Sequence, residues 1–182
     1  MNGWYGNIVI GHLKGQAIQG TVTTNLSTTQ SFAGMSFTAD RDDTLEEIRV
    51  CFSGVTGTPA TSSIVCRIVP DEADGDPDLT TTLAQVTSSV AVAAGWHTFT
   101  GFNLAVTAGT SYHFMVGNQP ANPGDASTNY PTVLRGAGDS GLWAYAADQT
   151  AAGCRSNSTI NIGASWTTVT GCHPTYRLKF TT

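Results

Sequence analysis

Hydrophobic and polar residues alternate with a period of two along several short segments of this chain. In the clearest case, Ile48, Val50 and Phe52 occupy alternate positions of residues 45–53. This period indicates β-strands with one buried face, and turn-forming residues separate the segments. The pattern predicts an all-β fold, an antiparallel β-sandwich with jelly-roll topology, in one domain with an N-terminal extension. Strands are predicted near residues 30–38, 45–53, 63–69, 83–92, 95–117, 131–134, 141–146, 164–169 and 175–180.

Residues 95–117 are the most regular of these segments. Aromatic and β-branched residues fill two arms on either side of Thr107-Ala-Gly-Thr110. A tight turn at that tetrapeptide predicts a β-hairpin.

The first 30 residues differ from the rest. Apolar side chains are concentrated at the start, and a polar, threonine-rich stretch follows them. Two interpretations stay open: an edge strand followed by a loop, or an arm that docks on a neighbouring subunit. We therefore divide the chain into an arm or edge strand, residues 1–30, and a sandwich, residues 31–182. The candidate partner-binding residues of the arm are Trp4, Tyr5, Ile8, Val9 and Ile10.

Charge is scarce in this chain. Charged residues make up 12% of it, only eight residues are basic, and the formal net charge is −5. A nucleic-acid surface needs clustered Lys and Arg, so we expect no nucleic-acid partner. No apolar run has the length of a membrane span, so we expect no membrane partner. Residues 1–12 lack the features of a signal peptide, which together with Met1 favours a cytosolic protein or a virion protein.

Four cysteines form two candidate disulfide pairs, Cys51 with Cys66 and Cys154 with Cys172. The first pair would join consecutive strands across the turn at residues 57–60. If Ile48, Val50 and Phe52 face the core, however, Cys51 points away from it and cannot meet Cys66. Four free thiols are the alternative for the whole set, and we expect no zinc site.

Two further segments carry candidate chemistry. Gly138-Asp-Ser-Gly141 matches the sequence around the nucleophile of trypsin-like proteases, but no histidine lies in a matching context, so a polar turn is expected. The loop 71–78 is rich in carboxylates. It is expected to be a solvated turn without a cofactor, with structural Ca2+ as the alternative. The ligands in that case would be Asp71, Asp74, Asp76 and Asp78.

Aromatic residues late in the chain are candidates for stacking on a sugar ring. Tyr130, Trp143 and Tyr145 would form this glycan-binding platform, because residues two apart share one face of a strand. Trp96 and Trp166 are expected in the core instead.

Five short motifs of this chain occur together in one known group of domains. They are Leu45-Glu-Glu-Ile-Arg-Val50, Gly95-Trp96 with Phe99, Leu104 to Tyr112, Gly163-Ala-Ser-Trp166 and Tyr176-Arg-Leu-Lys-Phe180. Residues 31–182 thereby resemble the jelly-roll accessory domains of bacterial surface proteins and of phage tail and virion proteins.

This resemblance implies a non-catalytic adhesive, decorative or carbohydrate-binding part. We expect a phage-type virion structural protein, a capsid decoration or a head- or tail-fibre subunit, that forms a homo-oligomer and contacts other virion subunits. The alternative is a carbohydrate-binding module of a secreted or cell-surface protein, with a host glycan as its ligand. No enzymatic activity is expected.

Overall fold

The computed structural model describes residues 3–5, 22–27, 32–72, 75–137, 153–155, 172–174 and 176–181. These residues form twelve β-strands and two short 3-10 turns, Thr61–Ser63 and Pro123–Ser127. The strands are β1 (Gly3–Tyr5), β2 (Val22–Asn25), β3 (Phe32–Thr38), β4 (Asp43–Thr56), β5 (Ile64–Pro70), β6 (Ala84–Thr87), β7 (Gly95–Val106), β8 (Ser111–Asn118), β9 (Tyr130–Ala137), β10 (Gly153–Arg155), β11 (Cys172–Pro174) and β12 (Tyr176–Phe180). No helix in these ranges is long and apolar enough to cross a membrane.

The strands form two antiparallel sheets. The seven-stranded sheet has the order β1-β12-β4-β9-β11, with β2 on β9 and β7 on β4, and the five-stranded sheet has the order β10-β3-β8-β5-β6. The predicted antiparallel β-sandwich is therefore confirmed. The pairs β5–β6, β4–β7, β3–β8 and β2–β9 are nested one outside the other. Strands β1 and β10–β12 add to the sheets outside these nested pairs, and the jelly-roll topology stays a prediction.

One hydrophobic core lies between the two sheets. Its residues come from alternate positions of strands in both layers, as the sequence pattern predicts for Ile48, Val50 and Phe52. The rings of Phe114 in β8 and Tyr176 in β12 meet across the layers, with centroids 4.5 Å apart. Both side chains are fully buried, so this contact joins the sheets at the centre of the core.

The predicted hairpin at residues 95–117 is wrong in its pairing. Both strands and the turn are present, and Thr110 N donates to Thr107 O at 3.1 Å. The two strands lie in opposite sheets, however, since β7 pairs with β4 and β8 pairs with β3 and β5. Both arms carry apolar residues that need a partner layer, and crossing between the sheets lets each arm bury them. The crossing turn is bonded to the β3–β4 loop, where Gly109 N donates to Ala39 O and Ala108 N to Asp42 Oδ1.

The candidate disulfide between Cys51 and Cys66 is not formed, and both thiols are free and buried. Their strands do not pair, because β4 belongs to the seven-stranded sheet and β5 to the five-stranded sheet. Cys66 is part of the core, while Cys51 lies on the opposite face of β4 from Val50 and Phe52. The facing argument from the sequence therefore gave the correct outcome for this pair.

The N-terminal extension contributes strands to the seven-stranded sheet. Trp4 of β1 lies opposite Lys179 of β12, and β2 pairs with β9. Residues 3–5 are therefore a strand, as the edge-strand interpretation expects, whereas residues 22–25 form a strand where that interpretation expects a loop. Ile8, Val9 and Ile10 lie outside the described residues, and their role in a docking arm stays a prediction.

Candidate functional site

The outer face of the seven-stranded sheet carries an exposed aromatic and cationic group of side chains. Because Ile48 and Val50 point into the core, the alternate residues Arg49 and Cys51 point outward. Strand β12 lies on one side of β4 and strand β7 on the other.

The register fixes which side chains surround these two residues. Arg49 lies opposite Arg177 of β12 and opposite Thr98 of β7, and Cys51 lies opposite Trp96 of β7. Directly opposed residues share a face of the sheet. We call these four outward residues around Cys51, namely Trp96, Arg177, Arg49 and Thr98, the Trp96 patch.

Trp96 and Arg177 contact each other across β4. The guanidinium carbon of Arg177 is 4.6 Å from the centroid of the Trp96 ring, which is cation–π geometry. Trp96 is 40% exposed, and Arg177 is half-buried. No carboxylate in the described part of the chain forms an ion pair with Arg177. The patch therefore presents an accessible indole beside a guanidinium that lacks an acidic partner there.

The expectation that Trp96 lies in the core is wrong. Phe99 and His97 occupy the inward positions of this part of β7, and Trp96 has the opposite parity. Trp96 and Phe99 are three residues apart, so one of them must face outward in a regular strand. That spacing is the sequence signal that could have placed Trp96 on the outer face. Arg177 lies between Tyr176 and Leu178, both of which are buried, so the alternation places Arg177 on the outer face as well.

Cys51, which the patch surrounds, is a buried thiol. Its side chain is 4% exposed. Burial raises the pKa of the thiol, and the positive charge of Arg177 opposes that shift. The thiol form thus dominates, and Cys51 is a chemically inert neighbour of the patch.

The neighbouring cation on this face, Lys179, is held by acidic residues. Its Nζ lies 2.7 Å from Glu47 Oε1 and 3.7 Å from Glu46 Oε2. The hydrogen bond to Glu47 is the main cause of the raised pKa of Lys179. On this face Lys179 is thus neutralised by carboxylates, whereas Arg177 of the Trp96 patch has no acidic partner in the described ranges.

A second polar group, on the outer face of the five-stranded sheet, is sequestered. His113 Nε2 lies 2.6 Å from Asp71 Oδ1, and Ser36 stands opposite His113 in the β3–β8 pair. Serine, histidine and aspartate suggest nucleophilic chemistry, but His113 is 1% and Ser36 5% exposed. Burial lowers the pKa of His113, although the hydrogen bond and charge of Asp71 act in the opposite direction. A neutral imidazole that donates to Asp71 is a structural arrangement.

The acidic loop uses its described carboxylates within the protein. Asp71 bonds His113, and Asp78 Oδ1 accepts from the backbone N and the hydroxyl of Thr80 at 2.8 and 2.6 Å. Hydrogen bonds from Thr80 and Thr81 lower the pKa of Asp78 to about 2. Within the described ranges, no three His, Cys, Asp or Glu side chains are arranged to hold a metal ion. Asp74 lies outside those ranges, so the Ca2+ alternative, which includes it, stays a prediction.

The other candidate residues are only partly described. Tyr130 is half-buried at the start of β9, whereas Trp143, Tyr145, Trp166 and the Gly138–Gly141 motif lie outside the described residues. Cys154 is in β10 of the five-stranded sheet and Cys172 in β11 of the seven-stranded sheet. These two strands come within 8 Å of each other between Cα atoms, and the disulfide stays a prediction.

Comparison with known proteins adds no relative. No protein-family model matches the chain, and no curated protein matches it. The fold and the Trp96 patch are therefore the basis for a functional conclusion.

Proposed function

We propose that this protein is a non-enzymatic structural subunit of a phage-type virion, a capsid decoration protein or a head- or tail-fibre subunit. Its N-terminal residues attach it to neighbouring subunits, and the β-sandwich projects outward. The resemblance of residues 31–182 to phage accessory domains and the sparse charge of the chain support this proposal.

The observation that carries the proposal is the position of β1. This strand, which contains Trp4 and Tyr5, ends the order of the seven-stranded sheet, and β12 is its only partner among the described strands. An edge strand presents backbone N–H and C=O groups to which another chain can add a strand. Attachment would bury the apolar residues that follow β1 in sequence, Ile8, Val9 and Ile10, and a specific interface buries about 1,600 Å2 in total.

Light scattering of the purified protein after size-exclusion chromatography tests this attachment. We expect the full chain to be an oligomer and the double variant Ile8→Asp with Ile10→Asp to be a monomer, because burial of the new charges is unfavourable. Thr23→Asp is the matched control, since Thr23 is exposed in β2, and it should leave the oligomer intact. A monomeric full chain, or a double variant that assembles like the control, contradicts the proposal. Neighbouring genes for head or tail proteins would support the virion assignment independently.

Carbohydrate binding is the second candidate, and the Trp96 patch favours it. A Trp that is 40% exposed on the outer face of a sheet offers apolar area with a polar N–H at its edge. Binding sites for small molecules combine such aromatic area with a few polar groups, which Arg177 and Thr98 supply here. This candidate is compatible with a virion subunit, since the patch and β1 involve different residues.

A further inference from the structure

We propose that the Trp96 patch binds a saccharide that carries a carboxylate, a uronate or sialate residue. This inference deepens the glycan-binding candidate by naming the class of sugar. It does not depend on attachment through the N-terminal residues.

The exposed indole provides the stacking surface. Most of the large aromatic side chains that the structure describes are buried, including Phe37, Phe99 and Tyr176. Trp96 instead lies at the solvent side of β7, whose described pairing is with β4 alone. The apolar face of a pyranose ring can therefore reach the indole from the open side of the sheet.

The positive charge of Arg177 favours an anionic sugar over a neutral one. Arg177 forms no ion pair within the described ranges. A bound carboxylate would give its guanidinium the acidic partner that it lacks there. Another cation on this face, Lys179, is already held by Glu47.

The shape of the cation favours a carboxylate on a ring. A guanidinium donates two parallel hydrogen bonds to a carboxylate, and it does so while its plane remains stacked on an aromatic ring. Arg177 already lies against the ring of Trp96. Thr98, which neighbours Arg49 on the same face, provides a hydroxyl for the hydroxyls of the sugar.

Isothermal titration calorimetry at low ionic strength compares matched ligands. Trigalacturonate is measured against its methyl ester, and sialyllactose against its own methyl ester, so that the two ligands of each pair differ only in whether the carboxylates are charged. We expect an acid to bind at least about tenfold more tightly than its neutral counterpart, which corresponds to one charge-assisted contact. The two pairs distinguish a uronate from a sialate as the preferred ligand.

Variants connect the binding to the patch. Trp96→Ala and Arg177→Gln should each weaken binding of the preferred acid by about tenfold or more, and Arg177→Lys should restore only part of it. Arg41→Gln is the matched control, because Arg41 is 44% exposed and pairs with Asp43 away from the patch. Circular dichroism verifies that each variant is folded, and Trp96→Phe, which keeps a ring, replaces Trp96→Ala if that variant is not.

Three results overturn the inference. Equal affinity for acids and their neutral counterparts would show that the carboxylate is not recognised, although the protein would still bind glycans. An Arg177→Gln variant that behaves like Arg41→Gln assigns the binding to another surface. The absence of binding heat with all four ligands contradicts both the inference and the glycan-binding candidate. It does not affect the proposed attachment through the N-terminal residues, which the oligomerisation test decides separately.

Discussion

Two histidines are buried in this fold as neutral side chains. His97 Nε2 lies 2.9 Å from the hydroxyl of Ser88, which itself donates to Val90 O at 2.6 Å. The imidazole of His97 is therefore the donor in its contact with Ser88, and the ring packs edge-on against Phe52 and Phe99. Burial lowers the pKa of His97. Burial also lowers the pKa of His113, where it outweighs the opposing effect of the nearby carboxylates.

Stability should fall as the solution becomes mildly acidic. The pKa of each buried histidine is lower in the folded state than the ordinary value of about 6.5 that applies to the unfolded chain. Below that value the unfolded state binds protons that the folded state does not bind, so the stabilising contribution is present above about 6.5 and is lost as the pH falls. Urea unfolding at about pH 8 and about pH 5.5 measures the effect.

Substitutions identify which histidine carries that pH dependence. His97→Gln keeps a donor near Ser88 and should reduce the difference in stability between the two pH values, and His113→Gln should do the same near Asp71. A double variant with an unchanged pH dependence would show that other groups are responsible.

Gly117 is required by its neighbour on the next strand. A Cβ built at Gly117 would run into the ring of Phe32, whose side chain is fully buried over β8. Gly117→Ala should lower the free energy of unfolding by about 1–3 kcal/mol, because overpacking forces the ring or the backbone to move. Gly54 is the matched control, since a Cβ there has no neighbour within 4 Å. Gly54→Ala should cost at most about 0.5 kcal/mol, and equal effects in the two variants would contradict the packing argument.

At the scale of elements, three neighbouring strands of the seven-stranded sheet protect a cysteine. Cys51 of β4 lies opposite Trp96 of β7, and the guanidinium of Arg177, from β12, lies over that ring. Cys66, in the five-stranded sheet, is buried inside the core instead.

Alkylation by iodoacetamide should distinguish these two environments. Neither thiol should react rapidly in the native protein, because burial raises the pKa of both. Trp96→Ala should speed modification of Cys51 and leave Cys66 unchanged, as peptide mass spectrometry can measure. Cys66 is the internal control: if both thiols react faster, the variant has loosened the whole fold. If neither rate changes, Trp96 does not shield Cys51.

Alternation along the strands predicted several of the described strands but not their connections. The period of two assigned Ile48, Val50 and Phe52 to the core and Cys51 to the outer face, and both assignments are confirmed. The same period says nothing about which strand is the partner, so the short link at residues 107–110 was interpreted as a hairpin. A turn that joins strands within one sheet and a turn that crosses between sheets have similar composition, and only packing of the layers distinguishes them.

The candidate site was harder to predict for a related reason. Hydrophobicity assigned Trp96 to the core, whereas the parity of β7 places it outside with Arg177. A large aromatic residue lies in the core of most proteins, but this general preference does not hold for Trp96, which occupies an outward position of an edge strand. The pairing of Arg177 with Trp96 joins residues 81 positions apart in sequence (177 − 96), which no local pattern contains.

At the scale of the whole molecule, one aromatic contact joins the two layers within the core. Tyr176 is fully buried against Phe114, and its hydroxyl has no hydrogen-bond partner within the described structure. A buried hydroxyl without a partner destabilises a protein, whereas the ring that carries it stabilises the core.

Two substitutions at Tyr176 separate these effects. Tyr176→Phe should raise the free energy of unfolding by about 1–3 kcal/mol, because it removes the unpaired hydroxyl and keeps the ring. Tyr176→Ala should lower that free energy by about 3–5 kcal/mol through the cavity that it leaves between the sheets. Chemical denaturation measures both, and a Phe variant less stable than the parent would mean that the hydroxyl has a partner after all.

The position of β12 between β1 and β4 has a consequence for biosynthesis. Strand β1 has its described pairing with residues 178–180, so it leaves the ribosome long before its partner strand has been translated. Distant pairings of this kind slow folding, and they leave unpaired strands exposed in the meantime. We expect the protein to complete its seven-stranded sheet only after residues 176–180 have been translated, which makes its yield sensitive to chaperones that hold nascent chains.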